Sequence, residues 1–158
     1  MPMSKRVARV QDALFKAGVE ARVVEMPNST HTAQDAADAI GCAVDQIAKS
    51  LVFQGEESGK LLLVIASGPN RVSETVVATA LGEAVAMADP KSVREGTGFP
   101  VGGVPPIGHA ATLPTFIDEA LLRHAEIWAA AGTPNSVFPV SPTELQRITG
   151  GQVLAVSG

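Results

Sequence analysis

Lys49 is the residue whose type and position most suggest chemistry, because it interrupts a mostly apolar run with the composition of a β-strand. In a strand over residues 48–53, the two-residue period places Lys49 on the same face as Leu51 and Phe53. A lysine at the start of a strand commonly packs its stem on the core and keeps its ammonium in water, and position alone favours this interpretation. The functional interpretation is a single cation in an apolar cleft, which would attract a phosphate or a polarised carbonyl oxygen.

A glycine- and proline-rich segment, residues 102–109, is the second candidate for a functional site. Glycine permits positive φ angles and close approach of a ligand, and the N–H groups of such a loop can face an oxyanion. Pro105 and Pro106 stiffen the segment but have no N–H. The donors must therefore come from Gly102, Gly103, Val104, Ile107 or Gly108. A rigid surface crossover would have the same composition, so composition alone does not decide between the two.

Several other kinds of catalytic site have no signature in the sequence. Neither a Gly-x-Ser-x-Gly element, a dinucleotide-binding glycine pattern nor a Walker loop occurs. His31, His109 and His124 have no ligand-type spacing among themselves or with Cys42, so we expect no metal site and no cofactor. Packing explains Cys42 better than nucleophilic catalysis does.

Composition and charge limit the class of protein. The chain has 158 residues, of which 46% are hydrophobic and 18% charged, enough for one domain with a stable core. The net charge of −4 argues against a globally basic surface that binds nucleic acid, and we expect no DNA partner, although local basic patches stay open. No apolar run approaches the ~18 residues that a membrane span needs. The charged N-terminus does not fit a signal peptide, and we therefore expect a cytoplasmic protein.

Basic residues concentrate near the N-terminus. Lys5, Arg9 and Lys16 share one stripe of a predicted helix with Asp12. Such a stripe can contact a phosphate backbone, but the water-facing side of an amphipathic helix is the interpretation that we favour from the sequence.

Helix and strand signals indicate how these residues are positioned. Capping residues followed by helically spaced apolar residues predict helices after Ser4, Thr32, Ser73 and Ser141, and a helical turn after Asp89. Strand patterns cover residues 19–26, 48–54, 60–66, 84–87, 111–117 and 152–156, and residues 55–59 form a hairpin connection. Residues 96–109 predict no regular structure, and residues 118–132 are ambiguous. The irregular alternation of elements predicts a single α/β or α+β domain with a mixed sheet.

Four segments keep an order and spacing that extend over nearly the whole chain. They are Thr32-Ala33-Gln34-Asp35-Ala36-Ala37, Ile47-Ala48-Lys49-Ser50-Leu51-Val52-Phe53, Gly102-Gly103-Val104-Pro105-Pro106-Ile107-Gly108 and Ser141-Pro142-Thr143-Glu144-Leu145. Together they resemble the YbaK/EbsC family, which includes the editing domain inserted in bacterial prolyl-tRNA synthetases. The resemblance implies one editing domain over residues 1–158, with a mixed, barrel-like sheet and flanking helices.

The resemblance also implies a trans-acting hydrolase that removes a small, wrongly attached amino acid, such as Ala, Ser, Cys or Pro, from tRNA. In the family, the lysine that matches Lys49 lies near the terminal adenosine and its phosphate or ester carbonyl. The matching loop from Gly102 to Pro106 lines the scissile ester, and a water molecule helped by the ribose hydroxyl is the nucleophile. The implied partners are the acceptor end of an aminoacyl-tRNA and an aminoacyl-tRNA synthetase.

Further residues are expected around the amino-acid pocket in the same arrangement. They are His31, Thr32, Ser67, Gly68, Asn70, Gly103, Val104, Ile107, Gly108 and His109. Pro105 stands where relatives often have a donor-bearing residue such as serine, which leaves the identity of the amino acid open. Two other functions also stay open. One is a non-catalytic module that binds tRNA or a synthetase, and the other is a hydrolase of another small acyl ester.

Overall fold

Five α-helices and eight β-strands make up the part of the chain that the computed structural model describes, residues 4–27, 32–110 and 112–158. The helices are α1 (Lys5–Lys16), α2 (Ala33–Ile40), α3 (Glu74–Leu81), α4 (Pro90–Thr97) and α5 (Pro142–Thr149). The strands are β1 (Val24–Glu25), β2 (Ile47–Gly55), β3 (Leu61–Ser67), β4 (Val85–Met87), β5 (Thr115–Asp118), β6 (Ile127–Ala130), β7 (Ser136–Val140) and β8 (Gln152–Leu154). Two 3₁₀ turns cover Val44–Gln46 and Glu119–Arg123.

The strands form one mixed sheet in the order β1-β7-β6-β2-β3-β5-β8, with β4 paired to β2. The antiparallel hairpin of β2 and β3 is its centre, and β6 and β5 run parallel to these two strands. Among the described residues, β1 and β8 end the path and do not pair with each other. The structure confirms an α+β fold with a mixed sheet, but the sheet is open and does not close into a barrel.

One edge of β2 is shared by two strands. β6 pairs with Ile47 and Ala48, and β4 pairs with residues 53–55. The carbonyl oxygen of Val52 accepts the Ala88 N–H over 3.0 Å on this edge. Because alternate residues of a strand direct their backbone groups to the same edge, the N–H and C=O of Ser50 face the gap between β6 and β4. The sheet is therefore split beside the middle of β2.

Both faces of the central hairpin are buried. On one face, Val52 and Leu63 belong to a core with α1 and Phe99. On the other, Phe53 and Leu62 pack against α3. Burial on both faces explains why the sequence of β3 is a continuous apolar run and does not alternate between apolar and polar residues.

Side-chain caps fix the starts of all five helices. An oxygen of Ser4, Thr32, Ser73, Asp89 or Ser141 accepts the N–H of the residue three positions later. Helices α2 to α5 each end at a glycine with a positive φ angle, a conformation that glycine adopts without strain. The predicted helix starts are confirmed, and the turn after Asp89 extends into the two-turn helix α4.

The segment after α1 differs from its prediction because a side chain replaces a strand partner. The sequence predicts a strand over residues 19–26, whereas β1 contains only Val24–Glu25. The buried Gln11 of α1 donates from Nε2 to the Ala21 carbonyl oxygen over 3.0 Å, and its Oε1 accepts the Val23 N–H over 2.9 Å. These bonds satisfy backbone groups that a longer strand would pair with a neighbouring strand.

Other boundaries also differ from the sequence predictions. The observed changes are a hairpin connection over residues 56–60, a later start of β5 at Thr115 and an earlier end of β8 at Leu154. The ambiguous residues 118–132 contain both a 3₁₀ turn and β6. β7 was not predicted, because it contains Pro139 and sheets confine proline to edges and bulges.

Replacing Gln11 by Ala should lower the free energy of unfolding by about 1–3 kcal/mol, because it leaves two part-buried backbone groups without partners. Urea denaturation measures the change. Gln34→Ala is the matched control, because the exposed Gln34 side chain bonds only to Asp38 on the surface of α2. The control should stay within about 0.5 kcal/mol of the wild type. Equal stabilities for the two variants would contradict the bridging role of Gln11.

Candidate functional site

The split in the sheet opens into a cleft of about 220 Å³. One side of the cleft is lined by Ile47, Lys49 and Leu51, which share one face of β2. On this face α2 packs against Ile47 and Trp128. The other side is lined by residues of the opposite face of β2 and by Val101, Gly102 and Val104. The cleft therefore reaches both faces of the sheet, with α2 on one side and the glycine-rich loop on the other.

Lys49 lies on the α2 side of this cleft and is half-buried. Its Nζ donates one hydrogen bond to the carbonyl oxygen of Gly68 over 2.9 Å. Burial lowers the pKa of the ammonium from its ordinary value, an effect that the charge of Asp118 opposes and that of Arg71 reinforces. An ammonium has three donors, so two remain for a ligand in the cleft.

A buried carboxylate holds the segment that carries the acceptor of Lys49. Asp118 is 2% exposed, and its Oδ2 accepts the Ser67 N–H over 3.0 Å and the Asn70 side-chain amide over 2.9 Å. Its Oδ1 accepts the Ala120 N–H over 3.0 Å. Both carboxylate oxygens are thus bonded, and the segment 67–70 is fixed at both of its ends.

Gly68 brings this segment into close contact with α2. A Cβ atom at this position would clash with the Val44 carbonyl oxygen and lie 3.0 Å from the Ala33 Cβ. A side chain at position 68 would therefore displace the carbonyl group that receives the Lys49 hydrogen bond.

The glycine-rich loop reaches the cleft through Gly102 and Val104. Gly102 has a φ of 89°, in the left-handed region. A Cβ at Gly103 would lie 3.0 Å from the backbone of Gly132, and one at Gly132 would lie 3.1 Å from the backbone of Arg6. The loop therefore rests on the β6–β7 connection, which in turn rests on α1.

The later residues of the loop lie elsewhere. A separate depression of about 180 Å³ beside α5 is lined by Pro106, Ile107, Gly108 and His109. The structure does not bring these four residues into the cleft. Ser67 and Asn70 line another depression of about 240 Å³. Of the residues expected in the site, Thr32, Lys49, Gly102 and Val104 line the cleft, and Gly68 and Gly103 support them. His31 lies outside the described residues.

His109 has a structural environment. Its Nε2 lies 2.6 Å from the Pro105 carbonyl oxygen, so this nitrogen carries the proton in the hydrogen bond. The ring meets Phe99 edge-on, with 6.5 Å between the ring centroids. Burial lowers the pKa of the ring, against the effect of the Pro105 hydrogen bond and together with the charge of Arg9.

Among the lining residues that were not predicted as part of the site, Ser50 and Trp128 carry polar groups. The Ser50 hydroxyl is buried without a hydrogen-bond partner among the described residues, and its available signal was a polar residue between the apolar Ala48 and Val52. Trp128 lies in the segment that was ambiguous between helix and strand, so no signal pointed to it.

Cysteine, metal and membrane features add no further site within residues 4–27, 32–110 and 112–158. Burial raises the pKa of the Cys42 thiol, which disfavours a thiolate nucleophile. These residues contain no group of three or more His, Cys, Asp or Glu side chains placed to hold a metal ion. Nor do they form a helix with the length and apolar character needed to cross a membrane.

Comparison with known families assigns the chain to one of them. The model of the aminoacyl-tRNA editing domain matches residues 27–148, a range that contains β2, the glycine-rich loop and most of α5. The chain belongs to this family. The match confirms the resemblance to the YbaK type of editing domain.

Individual relatives of this editing domain agree with the assignment. The chain is 33% identical over 131 residues to the uncharacterized protein YwhH of Bacillus subtilis strain 168, and this match covers 83% of each chain. It is 25% identical over 126 residues to the "putative Cys-tRNA(Pro)/Cys-tRNA(Cys) deacylase EbsC" of Enterococcus faecalis, covering 80% of this chain and 77% of that one. A crystal structure of a "putative trans-editing enzyme for prolyl tRNA synthetase" superposes with a TM-score of 0.93 at 46% identity, covering 99% of both chains.

The half-buried ring of His109 should titrate below its ordinary pKa of 6.5. Between the folded-state pKa and 6.5, the unfolded chain binds more protons than the folded editing domain. The stability contributed by the neutral ring is therefore complete above this window and is lost as the pH falls through it. A pH titration of the ring proton resonances, assigned with a His109→Gln variant, measures the pKa. Titration at or above 6.5 would contradict the assigned environment.

Proposed function

We propose that this editing domain is a trans-acting aminoacyl-tRNA deacylase. It hydrolyses the ester between a small amino acid, such as Ala, Ser, Cys or Pro, and the terminal adenosine of a tRNA. The observation that carries the proposal is the Lys49 ammonium, which has two donors without a partner among the described residues, in a cleft whose opposite side is the Gly102 loop. Membership of the editing family and the likeness to the trans-editing structure support the same function.

The size and lining of the cleft favour a small aminoacyl group. Its volume of about 220 Å³ is below the range of roughly 300–1,000 Å³ that is typical of sites for drug-sized ligands. Five alanines, Ala33, Ala36, Ala48, Ala129 and Ala130, form much of the wall. In the proposed complex the amino acid enters the cleft, and the tRNA stays outside with its terminal ribose at the entrance.

The proposed reaction uses water as the nucleophile. The water oxygen bonds to the ester carbonyl carbon, and the carbonyl electron pair moves onto oxygen to form a tetrahedral oxyanion. The bond between carbon and the ribose oxygen then breaks, the amino acid leaves as its free acid, and a proton from the water reaches the ribose oxygen through the neighbouring ribose hydroxyl. An aminoacyl ester is already activated, so positioning and charge stabilisation are sufficient catalysis.

Two groups of donors are available to the oxyanion in this reaction. Lys49 supplies its remaining N–H bonds and a positive charge. In the loop, the N–H of Gly103 is already bonded to the Pro100 carbonyl oxygen over 3.0 Å. The backbone N–H groups of Gly102 and Val104 are therefore the donors that we assign to the substrate, because both residues line the cleft.

Lys49→Ala should reduce hydrolysis of the cognate mischarged tRNA by at least about 100-fold, the usual effect of removing an oxyanion donor. The measurement is release of labelled amino acid from tRNA-Pro charged with Ala, Ser or Cys. Lys60→Ala is the control, since Lys60 is exposed in the hairpin connection at the opposite end of β2. A folded Lys49→Ala variant with full activity would remove Lys49 from the mechanism. A wild type that binds tRNA but releases no amino acid would indicate a binding module.

Gly102→Ala tests the role of the loop geometry. A Cβ at a φ of 89° costs about 1–2 kcal/mol of stability, and relief of that strain would redirect the N–H groups of the loop. Gly59→Ala is the matched control, because Gly59 has a φ of 72° in the exposed hairpin connection with open space around its Cβ position. Urea denaturation should show similar destabilisation of both variants. Only Gly102→Ala should lose deacylation, by 10-fold or more, and equal activities would refute the assigned role.

A further inference from the structure

We propose that the exposed face of α1 is the docking surface for the acceptor stem of the tRNA, with its cations bound to backbone phosphates. This proposal rests on the proposed function, which makes an aminoacyl-tRNA the substrate. It adds a phosphate-binding surface at a helix that lies outside the matched residues 27–148.

The charge of α1 differs from that of the rest of the chain. Its 12 residues include Lys5, Arg6, Arg9 and Lys16 but only one acidic residue, Asp12. The helix therefore carries a net charge of +3 in a chain whose net charge is −4. All four basic residues are exposed.

The placement of Lys5, Arg6 and Arg9 opposes helix stability, whereas Lys16 lies in the last turn, where the helix dipole favours a cation. Lys5 and Arg6 lie in the first turn, which contains no acidic residue, so they face the positive end of the helix dipole. Lys5 and Arg9 are four residues apart, a spacing at which like charges repel. The ion pair found among the described residues, between Glu144 and Arg147, does not involve α1. A binding role explains a charge arrangement that folding alone disfavours.

The same helix supports the loop that lines the cleft. The backbone of Arg6 contacts Gly132, on which Gly103 rests. A Cβ at Gly98 would lie 2.7 Å from the Arg9 guanidinium, and this guanidinium lies 5.1 Å from the centroid of the Phe99 ring. Cations of α1 line a depression of about 450 Å³ together with Gly108 and His109 of the glycine-rich loop. In the proposed complex, phosphates bound along α1 lie beside this end of the loop, and the 3′ end of the same strand continues from there to the cleft.

Charge reversal in the first turn tests this surface without weakening the helix. Lys5→Glu/Arg6→Glu places acidic residues where the helix dipole favours them, so the variant should fold. The control is Lys60→Glu/Lys91→Glu, which makes the same change in net charge at two exposed residues outside α1. Arg9 is kept in both proteins because of its contact with Phe99.

Binding of an uncharged acceptor-stem minihelix is measured first, by fluorescence anisotropy over a series of KCl concentrations. We expect the α1 variant to bind at least 10-fold more weakly than the control. The slope of log Kd against log[KCl] should fall by one to two units, because each phosphate contact contributes about 0.7–0.9. Equal affinities for the α1 variant and the control, or no binding by the wild type, would overturn the proposal. Such results would point to an acidic protein as the partner of α1.

Hydrolysis separates this proposal from the proposed function. We compare kcat/KM for charged tRNA with kcat/KM for the aminoacyl ester of adenosine. In the α1 variant the ratio of the first to the second should fall at least 10-fold, because the KM for charged tRNA rises. If the wild type binds the minihelix through α1 but hydrolyses neither ester, the deacylase proposal fails and the docking surface stands. If Lys49→Ala abolishes hydrolysis while the α1 variant keeps the ratio of the wild type, the docking surface fails and the deacylase proposal stands.

Discussion

The cleft exists because two strands share one edge of β2 and neither covers all of it. β6 approaches in the parallel direction and leaves after Ala48, and β4 joins in the antiparallel direction at Phe53. On this edge, the stretch that pairs with neither strand among the described residues contains Lys49 and Ser50, which pair with β3 on the other edge. A continuous ladder of hydrogen bonds along this edge would fill the split between β6 and β4. It would remove the space in which the proposed ester is bound. The catalytic proposal therefore depends on an interruption of regular hydrogen bonding at the centre of the fold.

Local signals predicted the helix starts and most of the strands, but not β6 or β7, and the long-range pairing was not predictable. Caps such as Ser73 and Ser141 act within one turn, so the helix starts follow directly from the sequence. The split depends on pairing between Ile47 and Trp128, which lie far apart in the chain. The short β1 has a similar cause, because a side chain from α1 satisfies its preceding backbone. No periodicity in one segment contains information about such a partner.

The candidate site, like the fold, was predictable in its individual residues but not in its long-range arrangement. Lys49 was identified because a cation occupied a position where the strand pattern favours an apolar side chain, and Gly102 because glycine permits a rare backbone conformation. The division of the loop between two depressions was not predictable. Val104 faces the cleft, whereas Pro106 faces α5, and composition does not determine where a chain changes direction. Ser50, whose hydroxyl has no partner among the described residues, was missed because a single polar residue in a strand is a weak signal.

The contact between Gly103 and Gly132 has a consequence for the entropy of substrate binding. Backbone lies against backbone there, with α1 behind it, so the loop has no room to move towards the helix. The conformational freedom of the loop is therefore lost when the protein folds and not when the ester arrives. A substrate that meets such a loop loses mainly its own freedom. In the proposed reaction, even a short, weakly bound aminoacyl group would then be held long enough for water to attack.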